Sequence, residues 1–236
     1  MSEKLRILVT GFGPFPGAPS NPTMPLVARL TELRRPALDA VELTGHIFHV
    51  THQTVDRELP ELIARLHPQA LLMFGLAGRT AYLRVEIRAR NAVATLRPDA
   101  DGNLAGKGSI VSGGPDALTF GPHTAKLLRA ARATGIDARA SRDAGSYLCN
   151  YLSWRAIEST QMPGGPVLAA FIHVPLLARN GTAREGASGI TLEQLVDAGE
   201  AMLLEMVKLA RQAAREGTRS LLPLPALAGS DEQSSL

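Results

Sequence analysis

The chain has 236 residues, of which 45% are hydrophobic, 20% charged and 4% aromatic, and its net charge is +3 at pH 7. This composition is typical of a globular protein, and a chain of this length can bury a large core within a single α/β domain. Few aromatic residues and no block of like charges argue against nucleic acid as a partner, and no apolar run approaches membrane-spanning length, so we expect no membrane partner.

The first strand and the loop after it form a distinct unit. Leu5 to Thr10 is a continuous β-branched run that predicts a buried parallel strand, and Met24 to Leu33 has helical periodicity. The glycine-rich loop between them could cradle a phosphate, but its glycines fit no phosphate-binding motif and its prolines lack N–H donors. Phe12 and Phe15 are large aromatic residues in this loop. We interpret them either as the wall of an apolar pocket or as a hydrophobic plug.

Three histidines spaced three residues apart raise the question of a metal site. They are His46, His49 and His52, and they fall in or beside residues 44–51, whose alternation predicts a second strand ahead of a helix over residues 55–66. In a strand, side chains alternate between faces, so this spacing does not bring the imidazoles together. We therefore predict no metal site, and no pattern in the sequence calls for a cofactor.

An alternating segment follows the third strand. Ala70 to Phe74 predicts a buried strand that ends in small residues, and Leu83 to Arg90 alternates strictly between apolar and charged residues. This alternation is typical of a half-exposed strand with a solvated, charge-paired face. Glu86 stands between Arg84 and Arg88 at two-residue spacing, which should keep its carboxylate ionised.

The segment around the single cysteine predicts a reactive thiol. Residues 135–140 suggest a short strand, and Tyr147 to Ser159 has helical periodicity, with Gly145 and Ser146 as the turn and N-cap before it. Cys149 then lies in the first helical turn, where free N–H groups and the helix dipole favour the nucleophilic thiolate. The alternative is that Cys149 is a small buried apolar residue. With one cysteine, no disulfide forms within the chain, and we expect a cytoplasmic protein.

His173 ends the last predicted strand, residues 167–172. Catalytic groups in open α/β sheets gather outside the carboxyl ends of the strands. Cys149, which follows one such strand, and His173 should therefore share that edge, and the segment that holds Glu86 could reach it as well. A cysteine and a histidine placed together in this way are typical of nucleophilic catalysis.

The remaining segments complete the predicted organisation. We predict an irregular excursion or a hairpin at residues 91–114 and two further helices at residues 122–134 and 191–215. Residues 217–236 are predicted to form a tail that is partly disordered. Residues 1–216 would then form a single catalytic α/β domain.

Three motifs together resemble those of one enzyme family. They are Val9-Thr10-Gly11-Phe12-Gly13-Pro14-Phe15 with Asn21-Pro22-Thr23, then Ala144-Gly145-Ser146-Tyr147-Leu148-Cys149-Asn150, then Phe171-Ile172-His173-Val174-Pro175. In order and spacing the chain is similar to the pyrrolidone-carboxylate peptidases, also called pyroglutamyl peptidase I, from Leu5 to about Arg215. The resemblance implies a three-layer α/β/α sandwich around a twisted, mostly parallel sheet, and a homo-oligomer, either a tetramer or a dimer.

The resemblance also implies a reaction and its residues. The enzyme would be a cysteine exopeptidase that removes an N-terminal pyroglutamyl residue from peptides through an acyl-enzyme intermediate. Cys149 would be the nucleophile, His173 the base and later the acid, and Glu86 the group that orients the imidazole. The substrate would bind against five residues, namely Phe12, Phe15, Asn21, Leu76 and Leu148.

The chain departs from the family pattern in its middle segment. One glycine instead of two precedes Arg79, Ile87 stands where the family has arginine, and an arginine of the family is replaced or shifted near Leu96-Arg97. These changes leave the three catalytic residues intact and concern the oxyanion environment and the substrate preference. The alternatives are a related cysteine amidohydrolase with another lactam-like or N-terminal specificity, a non-catalytic binding protein, or, on the first loop alone, a nucleoside- or phosphate-binding protein.

Overall fold

The computed structural model of the protein describes residues 4–15, 18–178 and 189–220. The strands are β1 (Leu5–Phe12), β2 (Val41–Phe48), β3 (Ala70–Leu76), β4 (Leu83–Glu86), β5 (Arg88–Arg90), β6 (Ala117–Thr119), β7 (Ala138–Ser141) and β8 (Leu168–Val174). The helices are α1 (Thr23–Thr31), α2 (His52–Leu66), α3 (His123–Arg132), α4 (Leu148–Thr160) and α5 (Leu192–Ser220), with a short 3₁₀ helix at Pro36–Leu38.

A six-stranded sheet forms the centre of the molecule. Its strand order is β2-β1-β3-β8-β4-β7, and β4 and β8 are the one antiparallel pair of neighbours. The two strands β5 and β6 form a separate antiparallel pair beside it. The prediction of a mostly parallel central sheet is confirmed.

Helices cover both faces of the sheet. Helices α1, α3 and α5 share one apolar core with one face, and α2 and α4 share a second core with the other face. The three-layer arrangement implied by the resemblance is therefore confirmed. Helix α5 continues to Ser220, so the tail predicted from residue 217 begins inside it, and the rest of that tail lies outside the described residues. None of the described helices combines the length and the hydropathy required to cross a lipid bilayer.

The second strand lies earlier in the chain than predicted. It covers Val41–Phe48 rather than residues 44–51, because Thr51 leaves the sheet to cap helix α2. Its hydroxyl accepts a hydrogen bond from the backbone N–H of Thr54 (3.1 Å), which satisfies a donor in the first helical turn. The N-cap predicted at Ser146 was also wrong. Tyr147 occupies that position before α4, with an extended backbone and no side-chain cap, whereas the turn at Gly145 is confirmed by its φ of +83°.

The alternating segment is two strands rather than one. The strand is interrupted at Ile87, so that β4 belongs to the central sheet while β5 pairs with β6. The Ile87 N–H still donates to the carbonyl of Ser141 (2.8 Å), but its carbonyl accepts from the N–H of Phe120 (3.1 Å), on the β6 side. The prediction of a solvated face was wrong for Glu86, which is fully buried. The irregular excursion is confirmed, because residues 91–116 contain neither helix nor strand.

Candidate active site

Cys149 and His173 meet at the carboxyl edge of the sheet, as the topology predicts. Strand β8 holds His173 beside Gly75 of β3 and opposite Arg84 of β4. Cys149 is the second residue of α4, which follows β7 after a short loop. The Cys149 sulfur is close enough to the His173 imidazole to act on its pKa, and both side chains line the same cavity.

Glu86 binds the other side of the imidazole. His173 Nδ1 lies 2.8 Å from Glu86 Oε1, and both side chains are buried. An ionised carboxylate only accepts hydrogen bonds, so Nδ1 carries the proton and Nε2 is the nitrogen that faces away from Glu86. The three side chains that the sequence singled out therefore stand in the order carboxylate, imidazole, thiol.

The position of the His173 imidazole between Glu86 and Cys149 raises its pKa from 6.5 to about 9. Burial opposes the positive charge, but the negative charge of Cys149 and the hydrogen bonds to Cys149 and Glu86 outweigh it. Burial likewise acts to raise the pKa of Glu86, yet the hydrogen bond and charge of His173 lower it, with lesser help from Ser141 and Arg84. At neutral pH the imidazole is therefore protonated, and it lies between the carboxylate of Glu86 and the sulfur of Cys149.

Arg84 fixes the carboxylate in place. Its Nε and Nη2 donate to Glu86 Oε1 at 3.0 and 2.8 Å, and Nη2 also donates to the carbonyl of Asp143 at 2.7 Å. Glu86 Oε2 is buried and makes no hydrogen bond of standard geometry to a described residue, although the nearby Ser141 hydroxyl helps to lower the pKa of the carboxyl group. All the hydrogen bonds of the carboxylate converge on the oxygen that holds the imidazole. The prediction that Arg84 pairs with Glu86 is confirmed, but Arg88 binds the carbonyl of Arg142 instead.

Gly75 allows the thiol to approach the sheet. A Cβ atom at this position would lie 2.7 Å from Cys149 Sγ and 2.6 Å from Phe171 Cζ, far inside van der Waals contact. Only glycine leaves room for the sulfur between β3 and the helix. Gly75 was seen in the sequence only as one of the small residues after a strand, because a close approach between distant segments leaves no local pattern.

The start of α4 is anchored through its third residue. Asn150 is fully buried, its Nδ2 donates to the carbonyls of Arg90 and Ala92 (2.8 and 3.0 Å), and its Oδ1 accepts from the Arg90 N–H (2.8 Å). The N–H groups of Leu148 and Cys149 lie in the first turn and make no hydrogen bond to another described residue. Two free donors and the positive end of the helix dipole therefore stand beside the sulfur.

A cavity of about 300 Å³ opens above the sulfur, and we call it the cysteine cavity. Besides Cys149 and His173, it is lined by all five residues predicted to bind substrate, namely Phe12, Phe15, Asn21, Leu76 and Leu148. Phe12 also packs in the core against Phe48, with ring centroids 6.0 Å apart, so its two interpretations both hold. The side-chain amide of Asn21 makes its hydrogen bonds within the first loop. It donates to the carbonyl of Gly13 (3.1 Å) and accepts from the N–H and the hydroxyl of Thr23.

Seven residues of the cavity wall were not among the predicted residues, and two of them, Tyr147 and Arg97, have large polar side chains. The Tyr147 ring lies 6.4 Å from the Phe15 ring, and its hydroxyl donates to the carbonyl of Pro98 (2.8 Å). The guanidinium of Arg97 lies over the Tyr147 ring, 4.2 Å from its centroid, and 5.9 Å from that of Phe15. Such cation–π contacts attract the guanidinium group to the faces of the rings. The wall is therefore apolar and aromatic, with one cation.

Comparison with known proteins agrees with this geometry. The family model described as pyroglutamyl peptidase matches residues 5–208. Pyrrolidone-carboxylate peptidase from Thermococcus onnurineus is 30% identical over 86% of this chain and 100% of its own length. The enzyme of the same name from Cupriavidus necator is 31% identical over 80% of this chain and 87% of its own length. The crystal structure of pyrrolidone carboxyl peptidase from Fervidobacterium islandicum superposes with a TM-score of 0.78, at 30% identity, over 87% of this chain and 99% of that one.

The chain belongs to the pyroglutamyl peptidase family. Two of its departures from the family pattern fall at the rim of the site, whereas the third, Ile87, lines neither cavity. Arg79 and Gly78 line a cavity next to the cysteine cavity, and Arg97 lines both cavities, whereas Leu96 beside it is almost fully exposed. The shift of an arginine near Leu96-Arg97 is thus the sequence signal that pointed to Arg97, although the irregular segment around it gave no means to place the side chain.

No metal site accompanies the cysteine within the described ranges, where no group of three histidine, cysteine, aspartate or glutamate residues is arranged to hold an ion. The three histidines near the second strand make separate contacts, and only His46 belongs to the strand itself. His46 Nε2 pairs with Glu58 (2.8 Å) and His49 Nε2 with Asp101 (2.6 Å), while His52 begins helix α2.

Proposed function

We propose that this protein removes an N-terminal pyroglutamyl residue from peptides, with Cys149 as nucleophile. The observation that carries the proposal is the buried order of Glu86, His173 and Cys149 at the floor of the cysteine cavity, in a chain that belongs to this family. A thiolate beside an imidazolium is the activated state of a cysteine nucleophile.

The first half of the reaction forms the acyl-enzyme. The Cys149 sulfur attacks the carbonyl carbon of the pyroglutamyl group, and a C–S bond forms while the carbonyl π electrons move to oxygen. The free N–H groups of Leu148 and Cys149 are placed to stabilise that oxyanion. His173 then gives its proton to the amide nitrogen, the C–N bond breaks, and the shortened peptide leaves with a free amino group.

The second half releases the acyl group. The neutral His173 takes a proton from water, the hydroxide attacks the thioester carbon, and the C–S bond breaks to give pyroglutamic acid and the thiolate. Glu86 keeps Nδ1 protonated throughout, so that Nε2 is the nitrogen that exchanges protons. Arg84 keeps Glu86 in position and does not itself contact the substrate in this scheme.

The cavity suits a small neutral acyl group. Its aromatic and aliphatic walls match the face of a lactam ring, and its lining contains no aspartate or glutamate. An ordinary N-terminal ammonium group would thus enter without a counter-ion, at a desolvation cost that a neutral lactam does not incur. This difference favours peptides whose amino terminus is closed into a ring.

The test is the cleavage of three fluorogenic amides that differ only in the acyl group, namely pyroglutamyl, prolyl and alanyl aminomethylcoumarin. We expect turnover of the pyroglutamyl amide alone, and none by Cys149→Ser under the same conditions. Turnover of the prolyl amide at a similar rate would favour a cysteine amidohydrolase of another specificity. Binding of the pyroglutamyl amide without turnover would favour a non-catalytic protein.

Three further properties belong to this proposal. We propose that residues 1–216 form one catalytic domain followed by a tail, that the protein is a cytoplasmic homo-oligomer, either a dimer or a tetramer, and that it binds no nucleic acid. Light scattering after size-exclusion chromatography measures the mass in solution, to be compared with the 25.1 kDa of one chain. A mass of one chain at all concentrations would contradict the oligomer.

A further inference from the structure

A second cavity adjoins the cysteine cavity. It has a volume of about 740 Å³, and the two cavities share a border of six residues, Phe15, Leu76, Arg97, Ala144, Gly145 and His173. His173, which gives its proton to the leaving amine, stands on that border. When the acyl group lies in the cysteine cavity, the residue after the scissile bond therefore extends into the adjoining cavity. The residues that line the adjoining cavity therefore act on the part of the substrate that follows the scissile bond.

The adjoining cavity carries an excess of positive charge. Its charged residues other than His173 are Arg79, Arg84, Arg97 and Asp143. The charge of Arg84 is balanced by Glu86 at 2.8 Å, and that of Asp143 by Arg90 at 3.0 Å. The other two guanidinium groups have no carboxylate partner among the described residues. The excess is thus two positive charges on the path of the leaving residue.

Arg97 is held so that it can bind an anion. Its guanidinium carbon lies over the Tyr147 ring, 4.2 Å from the centroid, and over the Phe15 ring, 5.9 Å from that centroid. Stacking occupies the face of a guanidinium and leaves the N–H edge free to donate, which is the edge that binds a carboxylate with two parallel hydrogen bonds. Less conformational freedom is lost when a group already held in this way binds its ligand.

We propose that Arg97 and Arg79 bind a carboxylate on the leaving residue, so that the protein prefers pyroglutamyl peptides with an anionic group immediately after the scissile bond. The proposal rests on the proposed function and specifies its substrate class. The anionic group has two possible sources, the free α-carboxylate of a pyroglutamyl dipeptide and the side chain of an acidic second residue. Both present the same chemistry to the two guanidinium groups.

The test compares substrates that differ by one carboxylate. Pyroglutamyl-alanine is paired with pyroglutamyl-alanine amide, and pyroglutamyl-glutamate amide with pyroglutamyl-glutamine amide, while release of pyroglutamic acid is followed by chromatography. We expect kcat/KM to be higher for the anionic member of at least one pair, on the order of fivefold, because the ion pair is partly solvated. The preference should shrink as salt is added. The pair that shows it identifies the source of the carboxylate.

Variants assign the preference to the two arginines. Arg97→Gln and Arg79→Gln should each bring the ratio of anionic to neutral substrate towards one, and Arg97→Lys should restore part of it because the charge returns. Arg129→Gln, an exposed residue of α3 that lines neither cavity, makes the same charge change and should leave the ratio as in the wild type. A wild-type ratio near one in both pairs, or a ratio that neither glutamine variant changes, overturns the inference. Failure of the wild type to cleave even the neutral amides would overturn the proposed function instead.

Discussion

The substitution Glu86→Gln separates the electrostatic part of the site from its shape. Glutamine has the size of glutamate and can still contact His173, but it carries no charge. In the wild type, His173 Nδ1 lies 2.8 Å from Glu86 Oε1, and Arg84 Nη2 lies 3.3 Å from the same nitrogen. Without the carboxylate, the protonated imidazole would face the guanidinium with no negative charge between them.

The expected magnitude follows from this contact. A hydrogen bond to a charged group contributes about 2 kcal/mol, and a change of one in pKa corresponds to about 1.4 kcal/mol. The pKa of His173, about 9 in the wild type, should therefore fall by roughly one to two in Glu86→Gln. A barrier raised by about 2–3 kcal/mol lowers the rate on the order of a hundredfold. An amide that offers its N–H₂ group to Nδ1 would add to this loss by favouring the wrong tautomer.

The assay is the pH dependence of kcat/KM for the pyroglutamyl amide, which reports groups of the free enzyme. Because the pKa of His173 is raised, the imidazolium that protonates the leaving amine is present below about pH 9, and activity should fall as the pH rises through that value. In Glu86→Gln this descending limb should move to lower pH. Glu42→Gln, an exposed residue of β2, makes the same change away from the site. A Glu86→Gln profile with the wild-type limb and rate would refute the role of Glu86.

Three other predictions concern the thiol and its surroundings. Cys149→Ser and His173→Ala should each lower kcat by on the order of a thousandfold or more, and the double variant should be little worse, because the two residues act as a unit. Iodoacetamide should alkylate Cys149 at neutral pH much faster than it alkylates a model thiol, with parallel loss of activity, and alkylation should persist above pH 9 where peptidase activity falls. Labelling without inactivation would count against Cys149 as the nucleophile. Gly75→Ala should displace the sulfur or Phe171, with a loss of about 1–3 kcal/mol in the free energy of unfolding by urea titration; wild-type stability and activity would show that the site can open without cost.

Local periodicity was sufficient to predict the scaffold of the site. Buried parallel strands are continuous apolar runs, so β1, β3 and β8 were found from composition alone, and the rule for parallel sheets then placed Cys149 and His173 at one edge. The first turn of α4 was found in the same way, because its apolar spacing begins at Tyr147. These predictions depend on short stretches of chain, and the fold did not override them.

The burial of Glu86 could not be predicted by the same reasoning. Alternation from Leu83 to Arg90 continues without interruption in the sequence, whereas the chain changes sheets at Ile87. The interruption at Ile87 depends on a partner far away in the chain, the strand at Ala117–Thr119. This strand has three residues, too few to be predicted from periodicity. The position of Arg97 could not be predicted for a related reason, because its segment has no hydrophobic periodicity. The shape of that segment depends on the contact of Arg97 with Tyr147 and on the hydrogen bond from Tyr147 to Pro98.

Arg84 connects the base to the segment before the nucleophile, although His173 lies in strand β8 and Cys149 in helix α4. It holds Glu86, and through it the imidazole of His173, while the same Nη2 binds the carbonyl of Asp143 in the loop that leads into the cysteine helix. A shift of that loop would therefore pull on the carboxylate that orients the base. Since Arg84 and His173 share one oxygen of Glu86, a displacement of the carboxylate from this position would break three hydrogen bonds at once. One guanidinium group therefore links the loop before the thiol to the carboxylate that sets the tautomer of the imidazole, and the sequence showed it only as one charge in an alternating strand.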